Sequence, residues 1–161
     1  MRLLACTGLA AAALAGGIAW YLAPLTPNVL QLQFAVTPRA FGDIIHYWSA
    51  EQLQRFRAHL PADCLLLLCY GLFGHLLATR SSLFAASRGF LRHWARWALP
   101  LAALCDAAEN ALHWWLTEVP RFATVWPYFC ATACASAKWL LLLAYGITVA
   151  IVAINHHWPD D

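Results

Sequence analysis

The chain divides into long apolar runs that are separated by shorter polar connections. Four of these runs are long enough to cross a bilayer, because a spanning helix needs about 20 mostly apolar residues. Within each run the apolar residues are continuous rather than alternating, which excludes the pattern of a transmembrane barrel strand. The pattern predicts an all-α polytopic membrane protein in which a four-transmembrane-helix bundle forms one domain over 1–161. The predicted spans are 3–23, 62–79, 94–116 and 128–154.

The outer loop, 24–61, carries patterns that predict short amphipathic helices. The pair Thr37-Pro38 is typical of an N-cap followed by proline at the first helical position. Ser49 with Gln52 resembles a capping box and predicts a second short helix, which ends before the next span. Residues 30–34 alternate between apolar and polar side chains, which indicates a short extended segment. We expect the two helices to lie on the outer membrane surface or over the mouth of the bundle, as packing elements or as a cap over a substrate or partner site.

Composition agrees with lipid as the solvent for most of the chain. Hydrophobic residues make up 62% and charged residues 11%, and the mean hydropathy is +0.59. A soluble domain carries roughly a quarter charged residues. The net charge of +2 is too small to indicate a nucleic-acid partner. The lipid bilayer is the expected partner, and association with other membrane proteins or in a homo-oligomer is left open.

The distribution of arginine predicts the orientation of the spans. One side of the predicted bundle carries Arg2 and four arginines in the connection 80–96. The other side carries four arginines, of which three are spread over the outer loop. Cytoplasmic connections carry the excess of Lys and Arg, so both termini and the 80–96 connection are predicted to be cytoplasmic, in a bacterial inner membrane. The first run is predicted to be an uncleaved helix, with a cleaved signal as the alternative. Residues 156–158, His-His-Trp, predict a solvated tail with an interface anchor.

The third run contains Asp106, Glu109, Asn110 and His113 within its apolar sequence. Their spacing of three, four and seven residues places them on one helical face. Asp106 lies roughly 15 Å into its run, and Lys138 lies equally deep in the fourth run, which has the opposite direction. This matched depth predicts that Lys138 pairs with Asp106 or Glu109. The cluster is either a clamp that fixes which helices touch, a proton or ion relay, or a site of acid–base chemistry on a lipid-soluble substrate.

Asp63 and His75, in the second run, are secondary candidates. Haem ligation by His75 and His113 is excluded, because their depths differ by roughly 15–20 Å, and no cofactor is predicted. Cys, His and carboxylate are plausible zinc or copper ligands, but the spacing of the thiols near the outer face is that of one helical turn, which is weakly diagnostic. This thiol spacing also differs from the spacing of the cysteines in four-helix quinone-linked thiol oxidoreductases. We therefore predict no metal, with these weak candidates: Cys64, His113, Cys130 and Cys134.

A resemblance adds to this reading. Thr37-Pro38-x-x-Phe41, then Trp48 and Asp63, resembles a pattern in small bacterial four-helix integral membrane proteins of unknown function. Asp106-x-x-Glu109-Asn110 and Lys138-Trp139 are similar to a pattern in the same proteins, and the resemblance covers 34–140. It implies the four-helix layout and no particular activity. It also implies that five residues form one set: Asp63, Asp106, Glu109, Asn110 and Lys138.

Three functions of different classes fit these patterns. The predicted one is a structural, assembly or accessory component of the membrane, which is not an enzyme. The first alternative is a small transporter or a proton- or ion-coupled protein that uses the intramembrane Asp/Glu/Lys cluster. The second alternative is a membrane enzyme acting on a lipid or quinone, which would need a lateral opening onto Asp106 and Glu109. A cavity that reaches the cluster, and the side from which it does so, separates these functions.

Overall fold

The computed structural model describes residues 2–85, 87, 89–118 and 121–157. Residues 156 and 157 are described by their backbone alone. The orientation and tail predictions draw on residues that lie outside the described part of the chain. These are Arg88, Trp158 and the side chains of His156 and His157. The described residues form helices and no strand, so the predicted all-α class is confirmed. In chain order the helices are α1 (Arg2–Leu22), α2 (Val29–Gln33), α3 (Pro38–Tyr47), α4 (Ala50–Arg80), α5 (Gly89–Glu118) and α6 (Trp126–His157).

The four long helices pack as a row of antiparallel neighbours. Helix α1 lies on α4, α4 on α5, and α5 on α6. The contact between α4 and α5 is close where small residues meet, since a Cβ added at Gly74 would lie 2.6 Å from Leu99 Cβ, and small residues let membrane helices approach in this way. Helices α1 and α6, at the two ends of the row, are not among the described helix pairs with extensive contact. A gap therefore opens between them.

Three helices are long and apolar enough to cross a membrane: Arg2–Leu22, Ala50–Arg80 and Trp126–Asn155. This indicates a membrane protein, and large apolar side chains such as Trp20, 81% exposed, lie on the outer faces of these helices. Helix α5, which contains the predicted span 94–116, is not among the three, because the polar side chains of its buried face lower its hydropathy. A fourth span stays a prediction.

Helix α4 begins where the capping box predicts a helix. Ser49 Oγ accepts a hydrogen bond from the backbone N–H of Gln52, and Gln52 Oε1 accepts one from the N–H of Ser49. The helix then continues through Pro61 to Arg80, so the prediction of a separate second short helix is wrong. The placement of 24–61 outside the membrane stays a prediction. A proline inside a helix costs about 3 kcal/mol, and this cost is offset because Phe56 and other residues of the preceding turns are buried.

The segment predicted to be extended is helix α2, so that prediction is wrong as well. Asn28 Oδ1 accepts a hydrogen bond from the backbone N–H of Gln31 at 3.0 Å, and this cap starts a helical turn. The alternation does not mark a buried face of a strand, because Leu32 is buried while Leu30 and Phe34 are 50% and 47% exposed.

Helix α3 begins at Thr37 and Pro38 as predicted, with Thr37 Oγ1 accepting from the N–H of Ala40 at 3.2 Å. Helices α2 and α3 form a cap that packs on the adjacent ends of α4, α5 and α6. Their apolar side chains share one buried cluster: Leu25, Leu32, Ala35, Phe41, Ile45, Trp48, Phe56, Leu60, Leu116 and Tyr128.

Candidate functional site

Lys138 lies between two carboxylates in the middle of the helix row. Its Nζ donates a hydrogen bond to Asp106 Oδ1 at 2.9 Å and lies 2.7 Å from Glu109 Oε2. The three residues are 5%, 4% and 0% exposed respectively, and a buried ammonium group is tolerated only when it is paired in this way. The predicted pairing of Lys138 is confirmed, and it includes both of the carboxylates that the depth argument allowed.

A third helix joins this ion pair. Tyr70 of α4 donates its hydroxyl hydrogen to Asp106 Oδ2 at 3.0 Å. Both oxygens of Asp106 are thus occupied, one by α6 and one by α4. The carboxylate links three helices, as the clamp interpretation requires.

Asp63 forms a second polar contact, nearer the cap. The side-chain amide of Asn110, one turn from Asp106 on α5, donates to Asp63 Oδ2 at 2.7 Å. None of the ion pairs formed by the described residues includes Asp63. The carboxylate therefore has an amide donor and no cation partner in the described part of the chain.

Two histidines lie beside Asp63 and Asn110. His113 is 2% exposed, its Nδ1 lies 3.7 Å from Glu109 Oε1, and its Nε2 has no hydrogen-bond partner among the described residues. His59 Nδ1 contacts the backbone carbonyl of Phe56. Both imidazoles pack on the Phe56 ring, with centroid distances of 4.9 Å for His59 and 6.0 Å for His113.

A cavity of about 710 Å³ reaches this polar group, which is within the size range of small-molecule sites. The cavity lies between α1 and α6, and the α2 segment lines part of it through Asn28, Val29, Leu30 and Gln33. Gln33 accepts a hydrogen bond from Trp139 Nε1 at 3.1 Å, so α2 reaches the level of Lys138, the residue before Trp139. One wall is the apolar face of α1: Ala11, Ala12, Ala15, Ile18, Ala19 and Leu22. The opposite wall contains the polar group together with apolar side chains. Its polar residues are His59, Asp63, Tyr70, Asp106, Asn110, His113 and Lys138, and its apolar residues are Phe56, Leu60, Leu66, Trp139 and Leu142.

Sequence analysis missed His59 and Tyr70 in this wall. The signal was their spacing, because His59 lies four residues before Asp63 and Tyr70 seven residues after it, which places all three on one face of α4. Glu109, which sequence analysis did include, contacts Lys138 but does not line the cavity. The cluster therefore has members that face the cavity and one that lies behind them.

The other sequence candidates lie apart from this site. His75 packs edge-on against Trp97 with a centroid distance of 5.9 Å and does not line the cavity. The described residues contain no group of three or more His, Cys, Asp and Glu side chains that could hold a metal ion. The weak metal set is therefore not assembled: Cys64, His113, Cys130 and Cys134. All six cysteines are free, and Cys64 is exposed on the surface of α4.

Comparison of the chain with models of protein families, with curated proteins and with solved structures finds no match. The resemblance to small bacterial four-helix membrane proteins stays a prediction. Any assignment of function therefore rests on the geometry of the cavity and of its two walls.

Proposed function

We propose that this chain is an integral membrane protein that admits a lipid-like molecule from the bilayer and holds its polar group inside the bundle. The observation that carries the proposal is the cavity between α1 and α6, which has an apolar wall facing a polar wall. A water-soluble ligand would gain little from the alanine-rich wall. An amphiphile would match both walls at once, because its chain would lie on α1 while its polar group reached Asp63, Asn110 and Lys138.

The proposal includes α5 as a fourth spanning helix. Its 30 residues extend roughly 45 Å at 1.5 Å per residue, which exceeds the hydrocarbon thickness of a bilayer. Helix α5 contacts α4 from Asn110, which bonds Asp63, to Arg92, whose Nε donates to Ala78 O at 3.4 Å. A helix that accompanies α4 over this length would cross whatever layer α4 crosses. Its ionisable side chains face the bundle, where their cost is lowest.

Pairs of arginine and aromatic side chains support a membrane boundary at the cap end. Arg57 lies over the Trp114 ring at 4.7 Å, and Arg121 lies over the Trp115 ring at 4.6 Å. Tryptophan and arginine are both favoured at the level of the lipid headgroups. Asp63 lies six residues beyond Arg57 on α4, which is roughly 9 Å deeper. A headgroup in the cavity would therefore sit just below the interface, with the chain running further into the membrane.

The orientation belongs to the same proposal. We place the N-terminus, the α4–α5 connection and the C-terminus in the cytoplasm of a bacterial cell, with the protein in the inner membrane and the cap outside. Arg80, Arg92 and Arg96 favour this orientation, since cytoplasmic connections carry the excess of positive charge. The cavity would then receive molecules from the outer leaflet, because Asp63 and His113 are nearer the cap.

This geometry favours a different function from the accessory role that we predicted from the sequence. A lateral opening is what an enzyme acting on a lipid or quinone would need, and a protein that only supports others needs none. The transporter function would require a path to both sides of the membrane, and this cavity joins the polar cluster to the bilayer. Binding of a lipid-like molecule is the step that enzymatic and non-enzymatic versions share. Acid–base chemistry would follow if a bound polar group exchanged a proton with Asp106 or His113.

A photolabelling experiment tests the binding step. Protein in nanodiscs is irradiated with a single-chain amphiphile that carries a diazirine, and labelled residues are mapped by mass spectrometry. We expect Leu142, which lines the cavity, to be labelled more than Leu143, which is 63% exposed on the outer surface. Ala15→Phe should reduce labelling of Leu142, because the ring fills the cavity. Ala5→Phe, on the exposed part of the same helix, is the matched control. Equal labelling of the two leucines that Ala15→Phe does not change would contradict the proposal.

A further inference from the structure

We infer that the amphiphile bound in this cavity carries a cationic amine headgroup, an inference that rests on the proposed function. Three features of the polar wall support it. They are an excess of carboxylates over cations, a carboxylate without a cation partner, and a set of histidine nitrogens that can accept but not donate hydrogen bonds.

Carboxylates outnumber cations at the polar wall. Lys138 is the one ammonium group there, and it is shared by Asp106 at 2.9 Å and Glu109 at 2.7 Å. Its charge is thus already opposed by two carboxylates before Asp63 is considered. A cationic ligand would reduce this excess, and an anionic ligand would increase it in a region where water screens charge poorly.

Asp63 is the carboxylate that a cationic group can reach. It lines the cavity and is partly exposed, whereas Glu109 is fully buried and lies behind Lys138. Its hydrogen-bond partner in the structure is the amide of Asn110, which contacts Oδ2. A neutral amide orients this carboxylate without neutralising it, so an ammonium group in the cavity would supply the charge that it lacks.

The two histidines of the wall each carry a ring nitrogen that can accept a hydrogen bond. A carbonyl oxygen can only accept, so the contact of His59 Nδ1 with Phe56 O places the proton of His59 on Nδ1. For His113, Nδ1 faces Glu109 Oε1, and a nearby carboxylate favours the proton on Nδ1 in the same way. In both rings Nε2 is then an acceptor, and His113 Nε2 is buried without a partner among the described residues.

These groups together match an ammonium headgroup. A primary ammonium group has three N–H donors and a positive charge, and the wall offers it the Asp63 carboxylate with two imidazoles nearby. Most donors in the wall are committed, because Lys138 contacts two carboxylates and the Asn110 amide contacts Asp63, which leaves one N–H on each. An alcohol headgroup would leave the charge of Asp63 unopposed. A carboxylate headgroup could accept from these two N–H groups, but it would add a fourth carboxylate to the three already there.

A comparison of probes with one chain length tests the inference. Dodecylamine, dodecanol and dodecanoate compete with the neutral diazirine probe for Leu142 in nanodiscs of zwitterionic lipid, and protein-free nanodiscs correct for partitioning. We expect the amine to compete about tenfold better than the alcohol, which corresponds to one partly buried charge contact, and the carboxylate to compete least. Asp63→Asn should remove the advantage of the amine and leave the alcohol unchanged. Asp43→Asn, an exposed carboxylate on α3, is the matched control.

The outcomes separate this inference from the proposed function. Equal competition by the three probes would overturn the headgroup preference and leave lipid binding standing, and tighter binding of dodecanoate would do the same. No competition by any of them, together with uniform labelling, would overturn both. If Asp63→Asn does not fold, Asp63→Glu keeps the charge and should keep the preference. The three probes on the unmodified protein still decide the sign.

Discussion

Replacing Lys138 should destabilise the protein more than any other single change in the bundle. Lys138→Met removes the ammonium group that lies 2.9 Å from Asp106 and 2.7 Å from Glu109, and it leaves two buried carboxylates without a cation. Loss of one partner from a buried ion pair costs about 3–5 kcal/mol. Asp106→Asn should cost less, about 1–2 kcal/mol, because Lys138 keeps Glu109 and the Tyr70 hydroxyl can still donate to the amide oxygen.

The double variant Asp106→Asn with Lys138→Met isolates the interaction between the two side chains. With both charges gone, the loss should be smaller than the sum of the single losses by about 1–3 kcal/mol, as for other residues in direct contact. The same cycle with Glu109→Gln should give a comparable coupling. Reversible unfolding of all variants in one detergent supplies the free energies, and Arg39→Met, an exposed charge on α3, serves as the control for loss of a cation.

Simple additivity in both cycles would refute the ion-pair argument, since it would mean that Lys138 does not interact with Asp106 or Glu109 in the folded protein. Coupling alone does not decide between a clamp and a functional cluster. A stable double variant that still binds the amphiphile at Leu142 would assign the ion pair to structure. A stable double variant that has lost binding would assign Asp106 and Lys138 to the site itself.

Three further predictions concern the contact between α4 and α5, the orientation of the helices and the packing of α3. Gly74→Ala should lower stability by about 1–3 kcal/mol in thermal unfolding, because its Cβ would overlap a leucine of α5, whereas Gly146→Ala, with open space around it, should be neutral. In a variant without native cysteines, a cysteine at Gln54 should react with an impermeant reagent from outside intact cells, and one at Ser82 should not; the reverse would invert the orientation. Amides of residues 41–47 should be protected from hydrogen exchange in detergent, because this helix is packed on the bundle, and fast exchange throughout would contradict the packing.

Local signals predicted where α3 and α4 begin, because capping involves residues that are three apart in sequence. Thr37 caps α3 and Ser49 caps α4, as their side chains indicate. The end of a helix was harder to predict. Pro61 favours a break, but tertiary burial of the preceding turns keeps α4 continuous, and no local pattern contains that information.

The ion pair was predictable and the cavity was not, for one physical reason. Depth in a membrane is a simple function of residue number, so the level of Lys138 and Asp106 could be read from the chain. The cavity depends on which helices fail to meet. Nothing in the alanine-rich pattern of α1 distinguishes a helix packed on both neighbours from one that packs on α4 and leaves a gap toward α6.

The position of the polar residues along the helix row explains why ion pair and cavity occur together. Helix α5 carries the buried polar face and lies between α4 and α6, where this face is shielded from lipid. Helix α1 is apolar and peripheral, so it shields the same face only partly and leaves the opening. A purely structural clamp would be most stable if it were fully enclosed, as Glu109 is. Asp106 and Lys138 are nearly as buried but line the cavity, and contact with a cavity is what a binding site needs and a clamp does not.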